Sequence, residues 1–251
     1  MTVPVRGEGT AAAEELVLGP RPRTPLPRPL LLAALALALL LVGVFAIWHF
    51  RPEPPAPLSL AELQDGYAGM VRSDGVNDAS VLSRRNSTPT LPVVTPRACL
   101  PLVETTVGNH FPEAAQDGVG TYWLETTWSI SLFTLRFDDE AAAKTELATI
   151  ATALDECTNQ HVTLRGDEPS TTADWHATVR RIDDQAPGGR LSYTLSVPDG
   201  LMVIQLMVYL NTVSWQFRYA NGVTDYVPDP ADQLLTGLND QLEAVVAARH
   251  G

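Results

Sequence analysis

Residues 191–219, LSYTLSVPDGLMVIQLMVYLNTVSWQFRY, decide the fold. Leu191, Tyr193, Leu195 and Val197 alternate strictly with Ser192, Thr194 and Ser196, the period of a strand with unlike faces. Pro198-Asp199-Gly200 reads as a turn in which Pro presets φ and Gly supplies φ > 0. Leu201–Leu210 is almost wholly apolar, as a central strand should be. Asn211-Thr212 reads as a second tight turn, after which Val213, Trp215, Phe217 and Tyr219 alternate with Ser214, Gln216 and Arg218. Three strands joined by two short turns make an antiparallel meander.

Working toward the N-terminus, Trp175–Arg181 reads as a further strand. Within Thr121–Phe137, Trp128, Ile130 and Leu132 share one face while Phe133, Leu135 and Phe137 share the other. That slip of phase means either a bulge or a strand buried on both sides. Asp138 and Asp139 end the strand and can cap a helix in which Leu147, Ile150, Leu154 and Cys157 line one face. Ser59–Met70 reads as a short helix with Ser59 as its cap, and Leu60, Leu63, Tyr67 and Met70 on one face. Residues 72–96 are polar and rich in Ser and Pro, and read as loop. Asp229-Pro230 opens a last helix, buried through Leu234, Leu238, Leu242 and Val245. The fold class expected is α+β: an antiparallel sheet packed against helices on one face, preceded by a single transmembrane helix.

That helix is Leu30–Phe50, which contains no Asp, Glu, Lys or Arg. About 20 apolar residues at 1.5 Å rise cross a hydrocarbon core of roughly 30 Å. A signal peptide would have a shorter apolar region and a small-residue cleavage site, which favours an uncleaved anchor. Arg21, Arg23 and Arg28 precede the span and only Arg51 adjoins its far end, so the N-terminus is expected in the cytoplasm and the rest outside. The domains expected are a disordered cytoplasmic tail at 1–29, the transmembrane helix at 30–50, a Pro-rich stalk at 51–57 and an extracytoplasmic domain at 58–251. A segment of about 190 residues suffices for one core.

The chain has 251 residues and a net charge of -12; residues 51–251 carry 13 Lys and Arg against 26 Asp and Glu. So acidic a segment repels nucleic acid and anionic headgroups. Its two cysteines, Cys99 and Cys157, read as a disulfide in an oxidising compartment. Two buried thiols or part of a metal site are the alternatives.

Several of these pieces resemble, in order, the PknH-type extracellular sensor domain of actinobacterial kinases, lipoproteins and membrane-anchored proteins. They are LSLAELQDGYAGM (58–70), RACLPLV (97–103), FDDEAAAKTELATIATALDECT (137–158), the apolar strands and PADQLLTGLNDQLEAVV (230–246). The resemblance spans about residues 58–248, a usual domain size. It implies ligand sensing in the cell envelope. Some kinase-borne members carry two disulfides, whereas two cysteines allow one. With only 29 residues ahead of the span, no kinase activity is expected.

No catalytic signature stands in the sequence: no G-x-S-x-G, H-E-x-x-H, P-loop or G-x-G-x-x-G. No histidines are spaced i, i+4, and no cofactor or metal is expected. Asp138-Asp139-Glu140 and Asp225 with Asp229 read more simply as helix-start carboxylates than as Ca²⁺ ligands, which number 6–8 oxygens. Alternating aromatics belong mainly to the core. A polar face carrying Arg136, Gln205, Gln216 and Arg218 is the candidate ligand cleft, or else the wet side of the sheet. The function expected is a membrane-anchored, non-catalytic extracytoplasmic sensor or ligand-binding domain. The alternative is an envelope interaction or scaffold protein tied to a secretion or cell-wall complex. A hydrolase would need a nucleophile and base that meet only in space.

Overall fold

The meander forms as its alternation dictates. In a computed structural model of the chain, β7 (Arg190–Val197), β8 (Gly200–Tyr209) and β9 (Thr212–Asn221) are consecutive antiparallel neighbours. The structure describes residues 28–49, 55–74, 78–83, 93–104, 111–124, 128–165, 175–182 and 189–249; the side chains of 28–32, 34–35, 46–49, 71–74, 123–124, 164–165 and 175 are outside this description. The expected tail and most of the stalk therefore lie outside the described residues. The chain divides into two units, Met1–Pro54 and Pro55–Gly251.

In the first unit, α1 (Arg28–His49) is a 22-residue helix over the apolar stretch. Leu37, Leu39, Leu40, Leu41, Val42 and Val44, spread around it, are each more than half exposed. Among the described residues no helix is long and apolar enough to cross a membrane. Only Ala33 and residues 36–45 of α1 are described in their side chains.

The second unit is built on one antiparallel sheet. Its other strands are β1 (Ser80–Ser83), β2 (Val93–Thr95), β3 (Asp117–Leu124), β4 (Trp128–Arg136), β5 (His161–Arg165) and β6 (Trp175–Arg181). The nine strands run in the order β1-β3-β4-β9-β8-β7-β6-β5-β2. The edge strands β1 and β2 lie in the stretch read as loop. They are three or four residues long, too short to show a period, and they border the sheet where half the backbone groups need no partner.

Helices cover both faces, which corrects the expectation of helices on one. The register of β4 against β3 and β9 is continuous, so its phase slip is no bulge: β4 is a strand buried on both sides. Phe133, Leu135, Ile204, Leu206, Val213 and Trp215 face α4 (Glu140–Cys157), with Phe133 stacked on Trp215 at 5.3 Å between ring centroids. Leu132 and Val119 face the other way, onto α2 (Leu60–Asp74) and α5 (Leu234–Ala248). Apolar residues on both faces of the central strands require a layer on each side.

The caps follow the sequence. Ser59 Oγ accepts from Glu62 N–H, and Glu62 Oε2 accepts from Ser59 N–H at 2.8 Å, a reciprocal capping box. Asp139 caps α4 through Ala142 N–H. Asp229 caps a 3₁₀ turn, Pro230–Gln233, that runs into α5. Two turns differ from expectation. The β8–β9 turn is Leu210-Asn211, with Leu210 at φ 51. Gly200 has no positive φ; it is glycine because a Cβ there would meet the Ala220 carbonyl oxygen at 2.3 Å. Cys99 and Cys157, both buried, are joined as a disulfide between the segment entering α3 (Leu100–Val103) and the end of α4.

Both ends of the unit are tied together by Arg249. Its guanidinium donates to both oxygens of Glu62, at 2.6 and 2.9 Å, and to the carbonyls of Ala56 and Pro57. That contact holds the Glu62 carboxyl down from 4.5 to about 2, outweighing the upward pull of burial. A carboxyl with a depressed folded-state pKa stabilises above its unfolded value and loses that contribution as pH falls toward the folded one. Melting temperature should therefore fall between pH about 4.5 and 2, and less steeply in Glu62→Gln. Equal acid slopes in both proteins would count against the clamp. At the other side of the molecule, burial and then Glu104 raise the Glu146 carboxyl to about 7.

Candidate functional site

The second face of the sheet, under α2 and α5, can be read row by row from the strand registers. In one row Thr134 and Ser214 lie side by side, 2.8 Å between hydroxyls, and Tyr67 of α2 closes on Thr134 at 3.1 Å. In the next, Gln216 and Gln205 are neighbours beneath the start of α5. Gln216 donates to the Ala231 carbonyl and accepts from Leu235 N–H, so it holds the first turn of α5 at both ends of its amide. Gln205 accepts from Arg190, which also donates to the Asp232 carbonyl. In the following row Arg218 meets the Asp232 carboxylate at 3.0 Å, with 11 % and 6 % of the two side chains exposed. Asp232 also accepts from Tyr226 O–H and Asp229 N–H.

Three of the four residues expected to form a cleft, Gln205, Gln216 and Arg218, are thus brought together. Gln216 and Arg218 bind the start of α5 and the segment before it, and Gln205 reaches that segment through Arg190. Arg136 stands apart, with a two-pronged contact to Asp117 at 2.7 and 2.8 Å. Polar residues on an alternating strand tell that two faces differ; they do not tell whether water or a capped helix end answers them.

Beyond α5 the rows are open. Trp128, Ala220, Leu201, Ser196, Thr178 and His161 form one row across six strands. The segment after β9 crosses this row and leaves a cavity on either side, with Leu201 in the floor of both. The larger, about 580 Å³, is lined by Arg180, Arg181, Thr194, Ser196, Thr224 and Tyr226, with Ile182 and Leu201 as its apolar part. The smaller, about 400 Å³, is apolar around Trp128, Ile130, Val223 and Val227, with Asp225 and Asp229 at its rim.

Charge is unevenly answered in the larger cavity. Arg181 points to α4 and pairs with Asp155 at 2.6 Å. Arg180 has an exposed side chain and no carboxylate partner among the described residues. Sequence reasoning missed Arg180: adjacent arginines at a strand end look alike until a carboxylate of α4 takes up one of them.

Nothing else assembles a reactive group. Among the described residues no three of His, Cys, Asp and Glu are placed to hold a metal ion. His161 and His176 bond across β5 and β6 to Thr178 and Thr163, at 3.1 and 3.2 Å, on exposed strands. Asp138 accepts from Gln116. Of the aromatics on the strands, Tyr193 and Trp215 are core and Tyr122 is largely exposed.

No protein-family model matches the sequence, and no curated protein matches it. The fold is an antiparallel sheet between helical layers. Among solved structures, the extracellular domain of PknH from Mycobacterium tuberculosis shares this fold. The two superpose with a TM-score of 0.56 at 12% identity, over 76% of this chain and 100% of that one. An uncharacterized protein from Mycobacterium smegmatis is similar at a TM-score of 0.42 and 13% identity, over 77% of this chain and 100% of that one.

Proposed function

We propose that this protein is a membrane-anchored, non-catalytic sensor whose extracytoplasmic domain, residues 58–251, binds a ligand of the cell envelope. The observation that carries the reading is the open end of the sheet's second face. A surface otherwise sealed by α2 and α5 there exposes a concave site with a few convergent polar groups, the form of a ligand pocket. The fold shared with the PknH extracellular domain supports the compartment. Anchoring rests on the sequence of residues 30–50, an apolar stretch without Asp, Glu, Lys or Arg and of the length a hydrocarbon core requires. Residues 1–29 are then cytoplasmic, residues 30–50 the span and residues 51–57 the stalk. A second reading, an envelope interaction or scaffold protein, draws on the exposed Trp128, Val223 and Val227 beside the smaller cavity.

The test is thermal shift of the full chain in detergent micelles against fractionated envelope extract. Only binding to the native state raises the melting temperature by mass action. A concentration-dependent rise is expected for the natural sequence and not for Ser196→Trp, whose indole fills the larger cavity. An equal rise in both would move the site elsewhere. No rise in either would favour the interaction reading.

A further inference from the structure

The larger cavity has a definite chemistry. Arg180 enters it from β6, Thr194 and Ser196 from β7, and Thr224 and Tyr226 from the segment beyond β9, over the apolar patch of Ile182 and Leu201. Three of these hydroxyls are already committed: Tyr226 donates to Asp232, Thr224 to Asp225 and Thr194 to the Arg180 carbonyl. All three oxygens keep accepting capacity. Ser196 is partly exposed on an open row. The guanidinium is a planar fork suited to a carboxylate or phosphate. Among the described residues no carboxylate pairs with it, in a chain of net charge -12 where a free anion is otherwise repelled.

We infer that this cavity binds an anion-bearing polyol, a sugar phosphate or sugar acid, with Arg180 on the anionic group, Ser196 and its neighbouring hydroxyls on the ring hydroxyls, and Leu201 against the ring's apolar side. The inference rests on the sensor reading and names its ligand class. The two anions differ in charge and share this recognition, since both offer paired oxygens to the guanidinium. Neutral sugars lack the contact with the greatest weight. The apolar floor adds shape but little selectivity. The smaller cavity, lined by Asp225 and Asp229 and by an Arg218 already paired with Asp232, disfavours anions on the far side of the crossing segment. One end of the open row is thereby set apart for the charged group.

The experiment is isothermal titration calorimetry of the full chain in detergent micelles with glucose phosphate, glucuronate and glucose. Binding of glucose phosphate or glucuronate is expected, with glucose at least about tenfold weaker, the usual worth of a hydrogen bond to a charged group. The stronger of the two anions tells phosphate from carboxylate. Arg180→Gln should weaken that anion by about tenfold or more and leave glucose unchanged, and Arg180→Lys should recover part of the loss. Arg97→Gln, at an exposed arginine elsewhere, should change nothing. Equal affinity for glucose and both anions, an unchanged Arg180→Gln, or no heat from any probe at millimolar concentration overturns the assignment. If envelope extract still stabilises the natural sequence and not Ser196→Trp, the cavity remains a ligand site and only its ligand class is wrong.

Discussion

Replacing Asp232 by alanine is expected to cost the domain about 3–5 kcal/mol, the penalty for leaving a buried charge without its partner. The expectation rests on how many groups converge on one carboxylate. Arg218 approaches it with two nitrogens at 3.0 and 3.3 Å, Tyr226 O–H at 3.1 Å and Asp229 N–H at 3.0 Å. Without it Arg218 keeps one long contact, to the Val227 carbonyl at 3.4 Å. Because the same carboxylate ties Tyr226, its loss should also loosen the wall between the two cavities. Urea unfolding at neutral pH measures the first effect as a lower midpoint at unchanged slope. Asp232→Asn keeps the shape and part of the hydrogen bonding and should lose less. A loss below about 1 kcal/mol in Asp232→Ala would mean that water reaches Arg218 and that the pair is a surface one.

Loss of the Cys99–Cys157 bridge should be comparably large. The bridge joins residues 58 apart in sequence, and the chain-entropy relation for a loop of that size amounts to about 4 kcal/mol, a model-dependent figure. It also links the segment entering α3 to the last turn of α4, so the helix that covers the first face is tethered at its far end. The double variant Cys99→Ser, Cys157→Ser should unfold at a correspondingly lower urea concentration, and reducing the natural protein should do the same. Both sulfur positions are buried, so serine hydroxyls there add a desolvation cost to the lost constraint. A reduced protein as stable as the oxidised one would show that packing alone holds α4 in place.

The two predictions bear on different parts of the sequence, and these parts differ in legibility. Cysteine pairing was readable from count and compartment. Asp232 was not: it sits within PADQ, where an acidic residue after proline reads as an ordinary helix start. Its second role, closing on Arg218, joins residues 14 apart across a turn no local period describes. Arg180 and Arg181 make the same point from a strand. Their chemical types are identical and both line the larger cavity; only the neighbouring helix gives one of them a carboxylate, Asp155.

From the chain alone came the meander of β7, β8 and β9, the caps at Ser59, Asp139 and Asp229, the apolar stretch that forms α1, and the paired cysteines. All of these rest on interactions between residues close in sequence, on period-2 or period-3.6 patterning, or, for the cysteines, on a count that allows one bridge. Tertiary structure decided the rest: that β4 is buried on both sides, that short edge strands lie at 80–83 and 93–95, and that α5 covers the polar face of β8 and β9. A polar residue on a strand carries the same pattern whether its partner is water or a helix end brought from elsewhere. The packing of distant segments chooses between them, and here it sealed Gln205, Gln216 and Arg218 while leaving Arg180 open.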